Sequence, residues 1–307
     1  MMKKIKLGKS DVEAPNIAVG CMRLGSLDKK GAAEFINTAM ENGANFFDHA
    51  DIYGGGECES LFADAIEMSP AVREKITIQT KCGIVPGKRF DFSKEHILSS
   101  VDKSLKRLRT EYIDILLLHR PDALMEPEEV AEAFNCLKES GKVKHFGVSN
   151  QNPYQIQLLN RCLKEPLLVN QLQLSIAFTP MIDSGFNVNT MFDAGINRDG
   201  DILNFCRLND ITIQAWSPFQ YGFFEGCFID SPKYPELNKK MEEIGEKYGI
   251  NKTTLAIAWI LRHPATIQPV TGTMNVDRLK SCIKASELEI TREDWYEIYL
   301  AAGNKLP

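Results

Sequence analysis

Residues 112–119 read YIDILLLH. Ile115 to Leu118 are four apolar residues in a row, so a strand here cannot alternate between core and water and must be covered on both faces. Seven other short runs share this character: NIAVGCM (16–22), ANFFDHA (44–50), KITIQTK (75–81), VKHFGVS (143–149), LLVNQLQ (167–173), ITIQAW (211–216) and ATIQPVTG (265–272). Amphipathic segments separate them, among them residues 29–43, 93–109, 126–141 and 199–210. Gly43 and Gly141 stand where helix C-caps are expected, and Pro127 suits a first helical turn. Eight buried strands alternating with helices predict a closed (β/α)8 TIM barrel, an α/β fold. The alternation on either side of GKSD near the start predicts an N-terminal β-hairpin. No G-x-G-x-x-G follows the first strand, which argues against a Rossmann sheet. No Pro/Ser-rich linker interrupts the chain, so residues 1–307 are expected to form a single domain.

Bulk properties narrow the function. With 44% hydrophobic and 25% charged residues the composition is that of a globular protein. The net charge is −5 and no basic cluster dominates a segment, which excludes nucleic acid as an expected partner. Eight cysteines are scattered without a C-x-x-C pair, as in a reducing compartment. The N-terminus lacks an apolar h-region and no apolar run approaches ~20 residues, so neither secretion nor a membrane span is expected. The expected location is cytoplasmic.

In such a barrel the C-terminal strand ends converge on one face, where active sites lie. Here the second strand ends at Asp48, the third at Lys81 and the fourth at His119, with Tyr53 just ahead of three glycines in NFFDHADIYGGGE (45–57). Each alone has a plain structural reading, as a cap, a packed ring or a solvated tip. Together they make an acid: a buried ammonium beside a phenol is expected to lower its pKa from about 10, Asp48 holds the lysine charged, and His119 can bond the same substrate oxygen. His49, Asp51, Glu57 and His145 lack the spacing of a metal site, and no metal is expected.

The segments FFDHADIYGGGECESLFADAI, TKCG, IDILLLHRPD, GKVKHFGVSN, VNQLQLS, IQAWSPF and GTMNVDRL, in this order, resemble the aldo-keto reductase superfamily, most of all its bacterial oxidoreductases. The resemblance implies that Asp48, Tyr53, Lys81 and His119 are a catalytic tetrad and that the barrel binds NADP(H), with NAD(H) possible, to reduce aldehydes or ketones. It implies that Ser149, Asn150 and Gln171 hold the nicotinamide carboxamide, that Trp216 stacks on its ring, and that Met22, Arg23, Ser217, Pro218 and Phe219 line the pyrophosphate. Gly272, Thr273, Asn275 and Arg278 match the adenosine-phosphate site. Many family members carry a lysine where Gly272 stands, a departure that bears on the preference for the 2′-phosphate. The expected partner is a small carbonyl compound; the oligomeric state is open. Two other readings are a cofactor-sensing regulatory subunit without turnover and a Schiff-base lyase using Lys81. Phe178, Met181, Phe223 and Phe228 are expected as apolar pocket walls.

Overall fold

The apolar runs become the staves of a barrel in a computed structural model that describes residues 2–307. They are β1 (Ala18–Gly20), β2 (Phe46–Asp48), β3 (Thr77–Cys82), β4 (Ile113–Leu118), β5 (Val143–Ser149), β6 (Leu167–Gln173), β7 (Thr212–Trp216) and β8 (Ile267–Thr271). All pair in parallel with their sequence neighbours, and β8 closes on β1. Helices pack between the strands where the amphipathic pattern predicts them. Lys29–Glu41 starts at Asp28, whose carboxylate accepts from the Gly31 N–H at 2.7 Å, and ends before Gly43 at φ 80°. Pro127 opens Pro127–Glu139. Two late helices, Lys252–Leu261 and Arg292–Ala301, are locked by stacked Trp259 and Trp295, each indole N–H donating to the other residue's carbonyl at 3.0 Å. No helix among the described residues is long and apolar enough to cross a membrane.

The expected N-terminal hairpin pairs Lys4–Lys6 with Glu13–Pro15. Its Leu7 and Ala14 pack against Ala18, Phe46, Leu117 and Val169 and so close one end of the barrel. Gly8 permits this approach: a Cβ there would lie 2.6 Å from the Leu168 carbonyl oxygen, and its φ is +54°.

Further along the interior the packing turns polar. Gln268 donates to the Pro15 carbonyl at 2.6 Å, Gln214 to Gln268 at 2.9 Å, and Gln79 and Gln214 exchange bonds at 2.7 and 3.0 Å. Gln79 and Gln171 both donate to Asp48 Oδ1, at 2.6 and 3.1 Å. These side chains point inward because strand side chains alternate, which puts Gln79 and Lys81 on the same face of β3. A barrel interior is usually filled by branched apolar residues. Here a hydrogen-bonded layer runs from the hairpin to Asp48.

The Gly8→Ala protein is expected to lose roughly 1–3 kcal/mol, because both the contact and the backbone conformation are violated. Urea unfolding measures this, and an unchanged midpoint would show that the hairpin does not sit against β6.

Candidate active site

The last residue of β2 and the penultimate residue of β3 meet inside the barrel mouth. Lys81, fully buried, donates to Asp48 Oδ2 at 2.8 Å, to the His49 carbonyl at 2.8 Å and to the Tyr53 hydroxyl at 3.1 Å. The three glycines after Tyr53 explain the turn that brings it back, for Gly54, Gly55 and Gly56 all have left-handed φ, at 58°, 65° and 100°. The turn is pinned from behind: Arg107 packs over Gly56 and donates to Glu59 at 2.7 Å, while Thr80 on β3 donates to the other Glu59 oxygen at 2.7 Å. The His119 ring stands edge-on to Tyr53 with centroids 6.0 Å apart. All four residues predicted for the tetrad are thus brought together.

Electrostatics correct one expectation. The Tyr53 phenol is held above its ordinary value: burial raises it, Lys81 pulls it down, and Asp48 pushes it up again. Lys81 acts in the expected sense, but desolvation is the larger effect and Asp48 adds to it. The phenol therefore keeps its proton at neutral pH. Burial lowers the Lys81 pKa, yet the charge of Asp48 and the contact with Tyr53 outweigh this and keep it a cation. His119 lies well below 6.5, from burial and then from the charges of Lys81 and Arg120, and is neutral at pH 7. Its Nδ1 is buried without a partner.

A cavity of about 490 Å³ opens over this cluster. Asp48, Tyr53 and His119 line it, together with Met22, Arg23, Ser149, Asn150, Gln171, Trp216, Ser217, Pro218, Phe219 and Gly272. Lys81 lies behind them. Ser149 donates to the Gln171 carbonyl at 3.1 Å, the Asn150 amide donates to Ser149 at 2.7 Å, and the Trp216 indole donates to Asn150 at 3.2 Å. The alternative role of Ser149 and Asn150 as helix caps does not hold, since Asn152 and Gln155 form the capping box of Pro153–Asn160. Asn150 and Ser217 adopt φ of 56° and 53°, strained for non-glycine residues and gathered at the cavity.

Thr273, Asn275 and Arg278 stand apart from the cavity lining. Asn275 caps Val276–Lys284 by accepting from the Arg278 N–H at 2.9 Å, Thr273 accepts from the Asn275 N–H at 3.2 Å, and the Arg278 side chain is exposed. Arg23 reaches toward Gly272, its Nη2 3.5 Å from where a Cβ at 272 would be. A guanidinium thus covers the position that has no side chain.

Sequence reasoning missed Arg120, Ile84 and Phe224, which also line the cavity. Arg120 follows His119 directly, and the strand-end logic reaches it one residue further on. Phe224 packs 5.8 Å from Trp216. Phe223 is a wall as expected, and Phe178 and Met181 line an adjoining recess. Phe228 is not a wall: it is fully buried in the hydrophobic core, because the small hairpin Gln220–Tyr221/Gly226–Cys227 turns it inward. A larger groove of about 680 Å³, between Met241 and Lys284, holds no member of the cluster.

The model of the aldo/keto reductase family matches residues 16–301, and the chain belongs to that family. It is 38% identical to the uncharacterized oxidoreductase YcsN of Bacillus subtilis, over 100% of both chains. It is 34% identical to the 6-dehydroglucose reductase of Agrobacterium fabrum, over 99% of both. Among solved structures it is similar to the thermostable aldo-keto reductase Tm1743 in complex with the inhibitor epalrestat, with a TM-score of 0.78 and 25% identity over 98% of this chain and 100% of that one.

Asp51, two residues before Tyr53, has its own electrostatic signature. Burial pushes its carboxyl up to about 7, Glu59 adds to the rise and Arg107 opposes it, and its Oδ1 is buried without a partner. A carboxyl raised on folding binds a proton that the unfolded chain has released, so it lowers stability as pH rises from about 4 to 7. Asp51→Asn should therefore stabilise the fold more at pH 8 than at pH 5, by roughly 1–2 kcal/mol after discounting for partial solvent contact. Thermal melts at the two pH values test this, and equal shifts at both would contradict it.

Proposed function

We propose that the protein is an NADP(H)-dependent carbonyl reductase of one domain, acting in the cytoplasm on a small aldehyde or ketone. The observation that carries this reading is the Tyr53 hydroxyl, 3.1 Å from the buried Lys81 ammonium and open to a cavity that His119 also lines. A reduced nicotinamide bound beside Trp216 would supply the hydride. Tyr53 then gives its proton to the carbonyl oxygen as charge builds there, and Lys81 stabilises the phenolate left behind. Asp48 keeps Lys81 charged. His119 can donate to the same oxygen from the side and, being neutral, adds no competing charge.

The residues present fit the cofactor. Ser149, Asn150 and Gln171 offer fixed amide and hydroxyl groups next to an indole face, a set that suits a planar carboxamide and its ring. Met22, Ser217, Pro218 and Phe219 carry the cavity on toward Arg23 and Gly272. Arg23 over Gly272 replaces charge that a side chain at 272 would otherwise bring, and Thr273, Asn275 and exposed Arg278 border the same strand end, a phosphate-seeking set. This favours NADP(H), with NAD(H) as the weaker alternative. The name of the Agrobacterium relative supports a carbonyl substrate. A Schiff-base role for Lys81 is disfavoured, since a fully buried, cationic amine bonded to three oxygens has no free lone pair.

Tyr53→Phe should cut carbonyl reduction by about 10²–10⁴, the usual worth of general acid catalysis, and leave NADPH affinity within a few-fold. Retention of more than about a tenth of wild-type kcat would remove Tyr53 from the proposed role. Arg278→Ala should weaken NADPH binding by roughly 1.5–3 kcal/mol and NADH binding far less. Fluorescence titration with each cofactor measures this, and equal losses would mean that Arg278 does not read the 2′-phosphate.

A further inference from the structure

Arg120 is a cation near the reaction centre without an anion. Its guanidinium is half-buried and lies 5.6 Å from the Trp216 ring centre and 5.5 Å from that of Phe223. It makes no hydrogen bond or ion pair with any described residue. Ring contacts offset part of the cost of taking such a charge out of water, but leave its five N–H donors unused. Burial lowers its pKa, and Tyr53 opposes that shift.

The position of Arg120 says what it faces. It lines the cavity over Tyr53 and His119 and also an adjoining recess of about 410 Å³, and Trp216 borders both. Gln151 lines that recess as well: it is 2% exposed, and neither its Nε2 nor its Oε1 has a partner among the described residues. An unpaired buried amide is costly unless something completes it. Arg198, whose hydrogen bonds go to backbone carbonyls, brings a second positive charge to the same recess. One carboxylate lines it, Asp199, and its Oδ1 accepts from the backbone N–H groups of Asp201 and Ile202.

We infer that Arg120 is the specificity-determining residue for a carbonyl substrate that carries a carboxylate, with Gln151 completing the hydrogen bonds around that group. The inference rests on the reductase reading above. A carbonyl between Tyr53 and His119 would place the far end of a short molecule toward Arg120, where a charge-assisted contact forms at a site already partly dry. A neutral aldehyde of the same shape lacks that contact and leaves the guanidinium unpaired.

Matched pairs test this: 4-oxobutanoate against butanal, and 4-formylbenzoate against benzaldehyde, each with NADPH on the wild type and on Arg120→Met. Methionine keeps much of the apolar stem and removes the charge. The wild type should prefer each carboxylate by tenfold or more in kcat/KM, chiefly through KM. Arg120→Met should lose that preference, its kcat/KM falling at least tenfold more for each carboxylate than for the matching neutral aldehyde. Tryptophan-fluorescence titration with 4-oxobutanoate, without cofactor, should show affinity falling at least tenfold in Arg120→Met and several-fold in Gln151→Leu. Equal kcat/KM for the two members of each pair, or equal loss of both in Arg120→Met, would overturn the inference. If no aldehyde in either pair is reduced, the reductase reading fails instead, and loss of 4-oxobutanoate binding in Arg120→Met would still establish the anion site.

Discussion

The buried ion pair between Lys81 and Asp48 is the constraint on which the site depends. Two opposite charges at 2.8 Å inside a barrel have each lost their water, and their attraction repays that loss only if every remaining polar atom is satisfied. The atoms of the pair itself meet this condition. Asp48 Oδ2 accepts from Lys81, its Oδ1 from Gln79 and Gln171, and the glutamines are tied through Gln214 and Gln268 to the hairpin. Strands β2, β3, β6, β7 and β8 therefore all hold one carboxylate in place. Removing either charged partner alone would leave the other stranded, at a cost of roughly 3–5 kcal/mol.

That arrangement also governs the chemistry. Burial holds the Tyr53 pKa up against the pull of Lys81, with Asp48 adding to the rise, so in the resting protein the phenol keeps its proton. In the proposed reaction the value of Lys81 lies in the moment of proton transfer, when a negative oxygen would form 3.1 Å from an ammonium already aligned. His119 stays neutral because burial and two nearby cations deny it a proton. The glycine turn that aims Tyr53 is held from outside the barrel by Arg107, Glu59 and Thr80, so the two faces of β3 share the work: Lys81 inward, Thr80 outward.

Much of this was legible in the residues. Strands buried on both faces cannot hide in a sequence, and ILLL announces one without help from its neighbours. The four charged and phenolic groups could be placed together because each ends, or just follows, such a strand. What could not be read were quantities that depend on distance. Whether Lys81 or burial decides the Tyr53 pKa is a contest between a 3.1 Å contact and a dry environment, and only coordinates show that burial prevails. Phe228 is expected in the pocket because the loop 220–235 is expected to supply the lid, but a small hairpin with two-residue strands precedes it and it lies in the core. Arg120 and the polar layer of Gln79, Gln214 and Gln268 went unnoticed for a different reason: single polar residues in or beside apolar strands carry no pattern until their partners, from distant strands, are known.

The central claim is that the Lys81 ammonium acts on the Tyr53 phenol. The pH–rate profile of carbonyl reduction by Lys81→Met tests it most directly, with folding verified by circular dichroism and NADPH binding by titration. Without the ammonium the phenol pKa rises further, so the alkaline limb, where the acid loses its proton, should move to higher pH while kcat falls by a hundredfold or more. A profile and rate matching the wild type, in a folded protein that binds NADPH, would contradict the account.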